Sequence, residues 1–370
     1  MIRVDELYSN TFWPYIRENV LYTRMFYCDP PGNTDPESLL NHDINQSDLN
    51  YIFFHDQEPI HPDIHKPLFD DVVRRNIDMR YPDPPLHRAL ITSEYASETV
   101  DQVCSLYDWR PYYYFYHGWA ALDWYRGYDK TFLIPDPEKR KIKKSFITPN
   151  RIIGGRRDHR SLLLYHLFRQ GINRAWISAP QTCVVENETI VDIAKKYQYL
   201  YPDIVTVLDR APLPAHFPGE TDHPMHSCWL SLWDQVGETL AYVVTETVFF
   251  GQRHHLTEKT FKPICQKIPF VLVSTAGSLE YLRRYGFRTF GYVWDESYDE
   301  ETDDIRRLEK IAKLLLDFDA LSEKELQNLY RATLPAIRHN HQHFYNGGFE
   351  KTLWSELITM LNTLEKDFRD

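Results

Sequence analysis

The sequence predicts an α/β protein, and three observations carry that prediction. Short apolar runs of strand length alternate with stretches of helical period, the pattern of strands joined by helices. Several of those runs end in polar or acidic residues, as strands of an open α/β sheet do at the edge where ligands bind. A chain of 370 residues is long enough for two domains, or one large α/β domain, at about 150 residues each.

Composition narrows the function. Hydrophobic residues make up 43% and charged residues 26%, which is ordinary for a globular chain. The net charge of −11 disfavours nonspecific binding to polyanions. One stretch opposes that trend: Glu138 to Arg160 holds nine Lys or Arg against two acids, a balance of +7 that leaves −18 for the remainder. The cysteines (Cys28, Cys104, Cys183, Cys228, Cys265) are scattered and odd in number, with no zinc-like spacing, so reduced thiols are expected. Met1 to Glu6 carries no signal-peptide core, and no apolar run approaches the roughly 20 residues of a membrane span. A cytoplasmic protein with no membrane association is expected.

Residues 1–48 alternate aromatic runs with Pro, Asn and Asp and predict a strand or two among long loops. Leu49 to Phe54 reads as a strand, followed by His55-Asp56-Gln57-Glu58-Pro59. Asp56 and Glu58 either shape a turn before Pro59 or supply a general base that deprotonates an acceptor hydroxyl. Leu68 to Arg75 reads as a helix, Ala89 to Thr92 as a strand with Glu94 just past its end, and Ser97 to Tyr107 as a helix. The aromatic block Trp109 to Trp119, which includes Tyr114, is either a groove that stacks on a sugar or base, or a buried strand and a packed helix.

Phe132 to Lys144 combines two prolines with clustered charge and reads as a linker. Beyond it, Ser145 to Thr148 reads as a strand and Ser161 to Phe168 as a helix. Between them lies a basic loop with Asn150, Gly154, Gly155, Arg156, Arg157 and Arg160. Backbone N–H groups and arginines at a strand-to-helix turn suit a diphosphate; the competing reading is a solvated basic face. A strand at Ala175 to Ser178, a helix at Glu188 to Tyr197 and an apolar run at Ile204 to Leu208 continue the alternation. The loop 211–227 holds His216, His223 and His226 without ordered metal-ligand spacing. Ser231 to Thr239 reads as a helix, and Ala241 to Thr247 as a strand containing Glu246 at its end.

In Leu256 to Ile264, Thr257 is placed as a helix N-cap, with Glu258 and Lys259 in the first turn. Glutamate suits the positive end of a helix dipole and lysine opposes it. Lys259 is therefore either a solvated residue on an ordinary helix or half of a phosphate site completed by free backbone N–H groups. Pro269 to Val273 reads as a buried strand and Ser278 to Tyr285 as a helix ended by Gly286. Helical period follows from Asp303 to Phe318, a capping box at Ser322 to Glu325, and a last helix at Phe349 to Glu365. His339, His341 and His343, spaced by two, do not share one helix face. Asp317-Phe318-Asp319 sits at a helix end, not after a buried strand where a metal-binding Asp-x-Asp would stand.

Three segments in order resemble the α1,3/α1,4-fucosyltransferase family of GT-B glycosyltransferases, most closely over 145–264. They are the Asn150 to Arg160 loop before an apolar helix, Thr245-Glu246-Thr247 at a strand end, and Thr257-Glu258-Lys259. His55 to Pro59 is similar in kind to the family's acidic segment. The resemblance implies a GT-B-like α/β fold: two Rossmann-like domains facing a cleft, with C-terminal helices. Residues 1–140 would bind the acceptor, 141–345 the nucleotide sugar, and 346–370 would form a helix packing back on the first domain. It also implies that Arg160 (or Arg157) and Lys259 hold the donor diphosphate and that Glu258 holds the ribose. Glu246 would stand on the donor side, and Glu58 or Asp56 would act as base. The family's Asn after the strand-end glutamate is Thr247 here, which puts its contact in doubt. Glu94, Tyr114 and Trp119 are the acceptor-side candidates.

The expected reaction is inverting glycosyl transfer from a nucleotide-diphosphate sugar to a hydroxyl. No metal and no cofactor are expected, because two cations meet the leaving group. The acceptor would be a glycan or, as for viral DNA glycosyltransferases, a hydroxylated DNA base; a viral member would work in the host cytoplasm. A non-catalytic nucleotide-sugar or glycan-binding module is the alternative. No GxxxxGK[ST] phosphate loop supports an NTP-using enzyme.

Overall fold

The computed structural model describes residues 3–20, 22–28, 34–42, 50–77, 87–131, 134, 136–217, 220 and 229–369. His223, His226 and Cys228 lie outside the described residues, as do Leu49, Phe132, Leu133 and Pro135. The chain divides into two compact units. Unit 1 comprises Met1–Asp123, Gln252–His255 and Glu350–Asp370; unit 2 comprises Trp124–Gly251 and Leu256–Phe349. Both are α/β, built on sheets of mainly parallel strands.

In unit 1 the strands are β1 (Thr23–Cys28), β2 (Leu39–His42), β3 (Asn50–His55), β4 (Arg88–Thr92) and β5 (Arg110–Tyr113), in the order β2-β1-β3-β4-β5. Only the β1–β2 pairing is antiparallel. Every residue of β3 is buried, as expected for a parallel strand covered on both faces. The helices are α1 (Val4–Leu7), α2 (Trp13–Asn19), α3 (Pro62–Ile77), α4 (Glu98–Tyr107) and α5 (Tyr116–Trp124). Ser97 caps α4 by accepting from Val100 N–H.

The aromatic block folds as β5 and α5 rather than as an open groove. Tyr114 and Phe115 are fully buried and Trp119 is 1% exposed. The Trp119 indole packs edge-on against Trp354, 4.7 Å between centroids. Helical spacing turns its large faces inward, so Trp119 is a core residue and offers no stacking face to an acceptor.

In unit 2, β6 (Lys144–Pro149), β7 (Trp176–Ser178), β8 (Thr239–Thr245) and β9 (Phe270–Val273) form an all-parallel sheet in the order β7-β6-β8-β9. The chain therefore reverses its direction of progress between β6 and β8. Helices α6 (Asp158–Arg169), α7 (Ile190–Lys196), α8 (Ile204–Asp209), α9 (Trp233–Gly237), α10 (Glu258–Cys265) and α11 (Ser278–Arg284) connect the strands. Helices α12 (Asp304–Ala320) and α13 (Glu323–Tyr345) follow. The apolar run from Ile204 is helix α8, burying Ile204 and Leu208 at i and i+4.

Of the stretch read as a linker, Arg140 and Ile142 are packed into unit 2. Arg140 is 5% exposed and donates to the Gln266 carbonyl at 2.6 Å, and Ile142 N–H donates to Gln327 Oε1. The division of the chain falls at Asp123/Trp124, ahead of the proline and charge cluster that suggested a boundary near 140. Helix α14 (Gly348–Asp367) contributes Glu356, which accepts from Phe115 N–H, and Asp367, which accepts from Tyr112 Oη, both within unit 1. Among the described residues no helix is long and apolar enough to cross a membrane.

One buried cation ties the strand ends of unit 2 together. Arg307 of α12, 1% exposed, donates to the carbonyls of Ser274 (3.0 Å), Phe249 (2.6 Å) and Glu301 (2.9 Å). Its guanidinium lies 4.4 Å from the centre of the Phe249 ring, on which His159 also stacks at 4.9 Å. Arg307→Ala leaves the buried carbonyls of Ser274 and Phe249 and the part-buried one of Glu301 without this donor, and we expect a loss of about 3 kcal/mol or more in urea denaturation. A loss below about 1 kcal/mol would remove Arg307 from this role.

Candidate functional site

The order reversal between β6 and β8 marks where ligands settle in open α/β sheets, outside the carboxyl ends of the strands. Asn150 follows β6 and Glu246 follows β8. Thr245 Oγ1 donates to Asn150 Oδ1 at 2.9 Å across this point.

Glu246 is fully buried, and its carboxylate anchors the start of α10. Oε1 accepts from Thr257 N–H (3.0 Å) and Thr260 Oγ1 (2.6 Å). Oε2 accepts from Thr257 Oγ1 (2.7 Å) and Thr247 N–H (3.2 Å). A carboxylate at a helix N-terminus satisfies N–H groups that have no partner in the helix. With four donors in place, Glu246 positions the site rather than offering its oxygens to a ligand. Thr257 is the N-cap, as its residue type and place suggested, and accepts from Lys259 N–H at 3.4 Å.

Lys259 stands in the first turn of α10 with its side chain one-third exposed. Its ammonium is held by long bonds: Thr257 Oγ1 at 3.2 Å, Thr247 Oγ1 at 3.3 Å and Glu258 Oε1 at 3.2 Å. Glu258 is 5% exposed. Thr247, in the position of the family's Asn, therefore contacts Lys259.

Arg160 departs from its expected role. It is 4% exposed and donates to the carbonyls of Ile152 (2.9 Å), Thr245 (2.7 Å) and Glu246 (3.1 Å). Burial, then the neighbouring Arg157 charge, lowers its pKa to about 9, so it stays charged at neutral pH. With both terminal nitrogens committed to carbonyls, Arg160 staples the loops after β6 and β8 and is not set to grip a diphosphate. Arg157, half-buried in the turn before α6, is the available cation of the pair. Gly155 permits that turn: its φ is +62°, and a Cβ there would lie 2.5 Å from Glu186 Oε1.

Comparison with protein-family models, curated proteins and solved structures yields no match. The role of each residue thus rests on its own geometry.

In unit 1 the three acidic candidates separate. Asp56 is 4% exposed, and its Oδ2 accepts from Tyr8 Oη (2.9 Å) and Tyr114 Oη (2.5 Å). Tyr114, named as an acceptor contact, is instead a buried partner of this carboxylate. Glu94, 3% exposed, accepts from Ile60 N–H (2.8 Å), Ser97 Oγ (2.5 Å) and Arg253 (3.4 Å), so it braces loops. Glu58 is exposed and alone among the three is open to solvent. The buried roles of Asp56 and Glu94 had no signal in the sequence, because Tyr114 lies 58 residues from Asp56, and Ile60 and Arg253 lie 34 and 159 residues from Glu94.

Among the described residues no group of three or more His, Cys, Asp or Glu side chains could hold a metal ion. The apparent His339/His343 motif is spent on the carbonyls of Gly286 and Tyr285, and Asp319 accepts from the N–H groups of Asn173 and Arg174 and from Ser145 Oγ.

Two predictions follow from these carboxylates. Glu246→Ala strands the donors at the start of α10, and we expect about 3 kcal/mol lower stability by chemical denaturation. Burial raises the Asp56 pKa to about 6, outweighing the tyrosine hydroxyls that lower it. The folded protein then binds the proton more tightly than the unfolded chain. This contribution to stability is present below about pH 4 and is lost as pH rises through 6, on the order of 3 kcal/mol. Asp158, raised to about 6 mainly by burial, adds a slope of the same sign. Asp56→Asn should flatten the fall in stability between pH 4 and 6; an unchanged slope would mean the carboxyl is not buried as described.

Proposed function

We propose that the chain is a metal-independent glycosyltransferase that moves a sugar from a nucleotide-diphosphate sugar to an acceptor hydroxyl, in a GT-B-like arrangement. The observation that carries this reading is Lys259. A lysine in the first turn of a helix opposes the helix dipole, and this one is held only by long bonds at the point where an α/β sheet receives its ligands. A diphosphate beside it would relieve the conflict and use the backbone N–H groups of α10.

In this reading Lys259 and Arg157 meet the diphosphate, and Glu258 takes the ribose. Glu246 and Arg160 fix the loops that carry them. Glu58 removes the proton from the acceptor hydroxyl. The acceptor oxygen then forms its bond to the anomeric carbon as the bond to the diphosphate breaks, inverting that carbon. The developing negative charge is met by fixed cations, which is electrostatic stabilisation where charge appears. A cytoplasmic setting, the host's for a viral member, accompanies the reading. A non-catalytic nucleotide-sugar-binding module is the second reading, favoured by the full occupation of the Glu246 carboxylate.

The test is thermal stabilisation by a panel of nucleoside diphosphates and their sugars. One nucleotide, at 100 times its dissociation constant, should stabilise the protein by about 2.7 kcal/mol, and Lys259→Ala should abolish the effect. Glu58→Gln should keep the nucleotide effect and lower turnover by about 10²-fold or more. Donor hydrolysis separates transferase from module: nucleotide binding without any hydrolysis or transfer leaves the module reading standing.

A further inference from the structure

A cavity of about 210 Å³ lies at the far end of α10 from Lys259, within unit 2, and Asp136, Lys267, Ile337, Arg338, His341 and Gln342 are among its lining residues. Helix α10 has eight residues, so its two ends are about 12 Å apart at 1.5 Å per residue. The volume is below the roughly 300 Å³ at which pockets for organic ligands begin. It suits a small ion with a few waters, at about 30 Å³ per water.

Its lining is polar in a particular way. Lys267 stands just past Gln266, the residue that caps the end of α10, with φ +54°, the left-handed position that glycine normally fills after a helix. A lysine is kept there against that preference. Its ammonium makes no hydrogen bond or ion pair among the described residues, yet its charge acts on His341. Service to the C-terminal helix dipole does not explain it, because Lys262 already occupies the last turn.

His341 presents a buried Nε2 with no hydrogen-bond partner. Burial first, and Lys267 second, lower its pKa to about 4, so the ring is neutral and can donate one N–H. Arg338 is half-exposed and pairs with Glu138, also half-exposed; such a pair is weakly held. Arg140 backs the same turn, donating to Gln266 with its Nε and Nη1 left without partners. Asp136 is the acid of the lining, and it is turned to the Glu138 N–H at 3.0 Å and toward Lys139 at 3.9 Å.

We propose that this cavity binds a small oxyanion of the phosphate type, held by the Lys267 ammonium, the Arg338 guanidinium, the His341 ring N–H and the Gln342 amide. The site is separate from the nucleotide-binding role of Lys259 and stands whether or not that role does.

The probe is inorganic phosphate, titrated into the full-length chain at constant ionic strength against chloride and read by melting temperature and by calorimetry. Phosphate should raise the melting temperature of the parent beyond the chloride control. Lys267→Gly relieves the left-handed backbone, so it should melt no lower than the parent without phosphate while binding phosphate about tenfold more weakly or worse. His341→Phe should weaken binding in the same direction, and Lys259→Ala should leave in place the response that Lys267→Gly removes. No rise above chloride overturns the proposal. So does a response that Lys267→Gly leaves intact, or one that Lys259→Ala removes while Lys267→Gly does not, which would move the anion to the other end of α10.

Discussion

The architecture of unit 2 turns on a single buried carboxylate. Glu246 leaves β8 with its own N–H still bonded to the Val273 carbonyl at 3.0 Å, and its side chain takes four donors from Thr247, Thr257 and Thr260. It thus fixes the end of a strand and the beginning of a helix eleven residues later as one piece. Burying a carboxylate is costly unless its hydrogen-bonding capacity is filled, and here both oxygens are. The Thr257 hydroxyl that donates to Glu246 also accepts from Lys259, and Thr247, whose N–H serves Glu246, offers its hydroxyl to the same ammonium, so the ammonium is positioned by residues that are themselves locked.

Around this anchor, buried arginines bind carbonyls. Parallel strands present carbonyl oxygens at their carboxyl ends, and the loops that follow carry more. Arg160 takes those of Ile152, Thr245 and Glu246, and Arg307 takes those of Phe249, Ser274 and Glu301. A guanidinium has five donors in a rigid fork, which lets one residue hold loops from two strands. The consequence is a division of labour among cations. Those with their forks filled by carbonyls are part of the scaffold, and those on long, exchangeable bonds are available to an anion. Lys259 falls in the second group.

Much of this was legible in the sequence where a local rule governs. The strand at 241, the Thr257 cap, the capping box at Ser322 and the helix at Asp303 follow from periodicity and cap chemistry, and they stand within a residue or two of the observed elements. Roles decided by distant partners were not legible. Arg160 lies in a loop that reads as phosphate-binding, but its carbonyl partners at Thr245 and Glu246 are 85 and 86 residues away. Trp119 and Tyr114 look like a stacking surface in one dimension, and only packing against Trp354 and Asp56 makes them core. Phe132 to Lys144 resembles a linker because charge and proline dominate it, while the contacts of Arg140 and Ile142 that bury it come from residues 126 and 185 positions on.

Under the proposed glycosyl transfer, the same division bears on the choice of acceptor. The basic run from Lys139 to Arg160 is the sequence's best argument for nucleic acid, since phosphate contacts need exposed cations. Folded, part of that run is committed: Arg140 and Arg160 are buried on carbonyls, Lys143 pairs with Glu238 at 3.1 Å, and Lys144 lies 4.8 Å from the centre of the Trp176 ring. The charges also segregate between the units. The segments of unit 1 carry 13 Lys and Arg against 25 Asp and Glu, a balance of −12, whereas unit 2 carries 29 against 28. If unit 1 receives the acceptor, its field repels a polyanion over about 10 Å at 0.1 M salt. An uncharged hydroxyl compound such as a glycan meets no such barrier. Electrostatics therefore favour the glycan over the DNA base, and they do so through the half of the molecule whose charge no single motif displays.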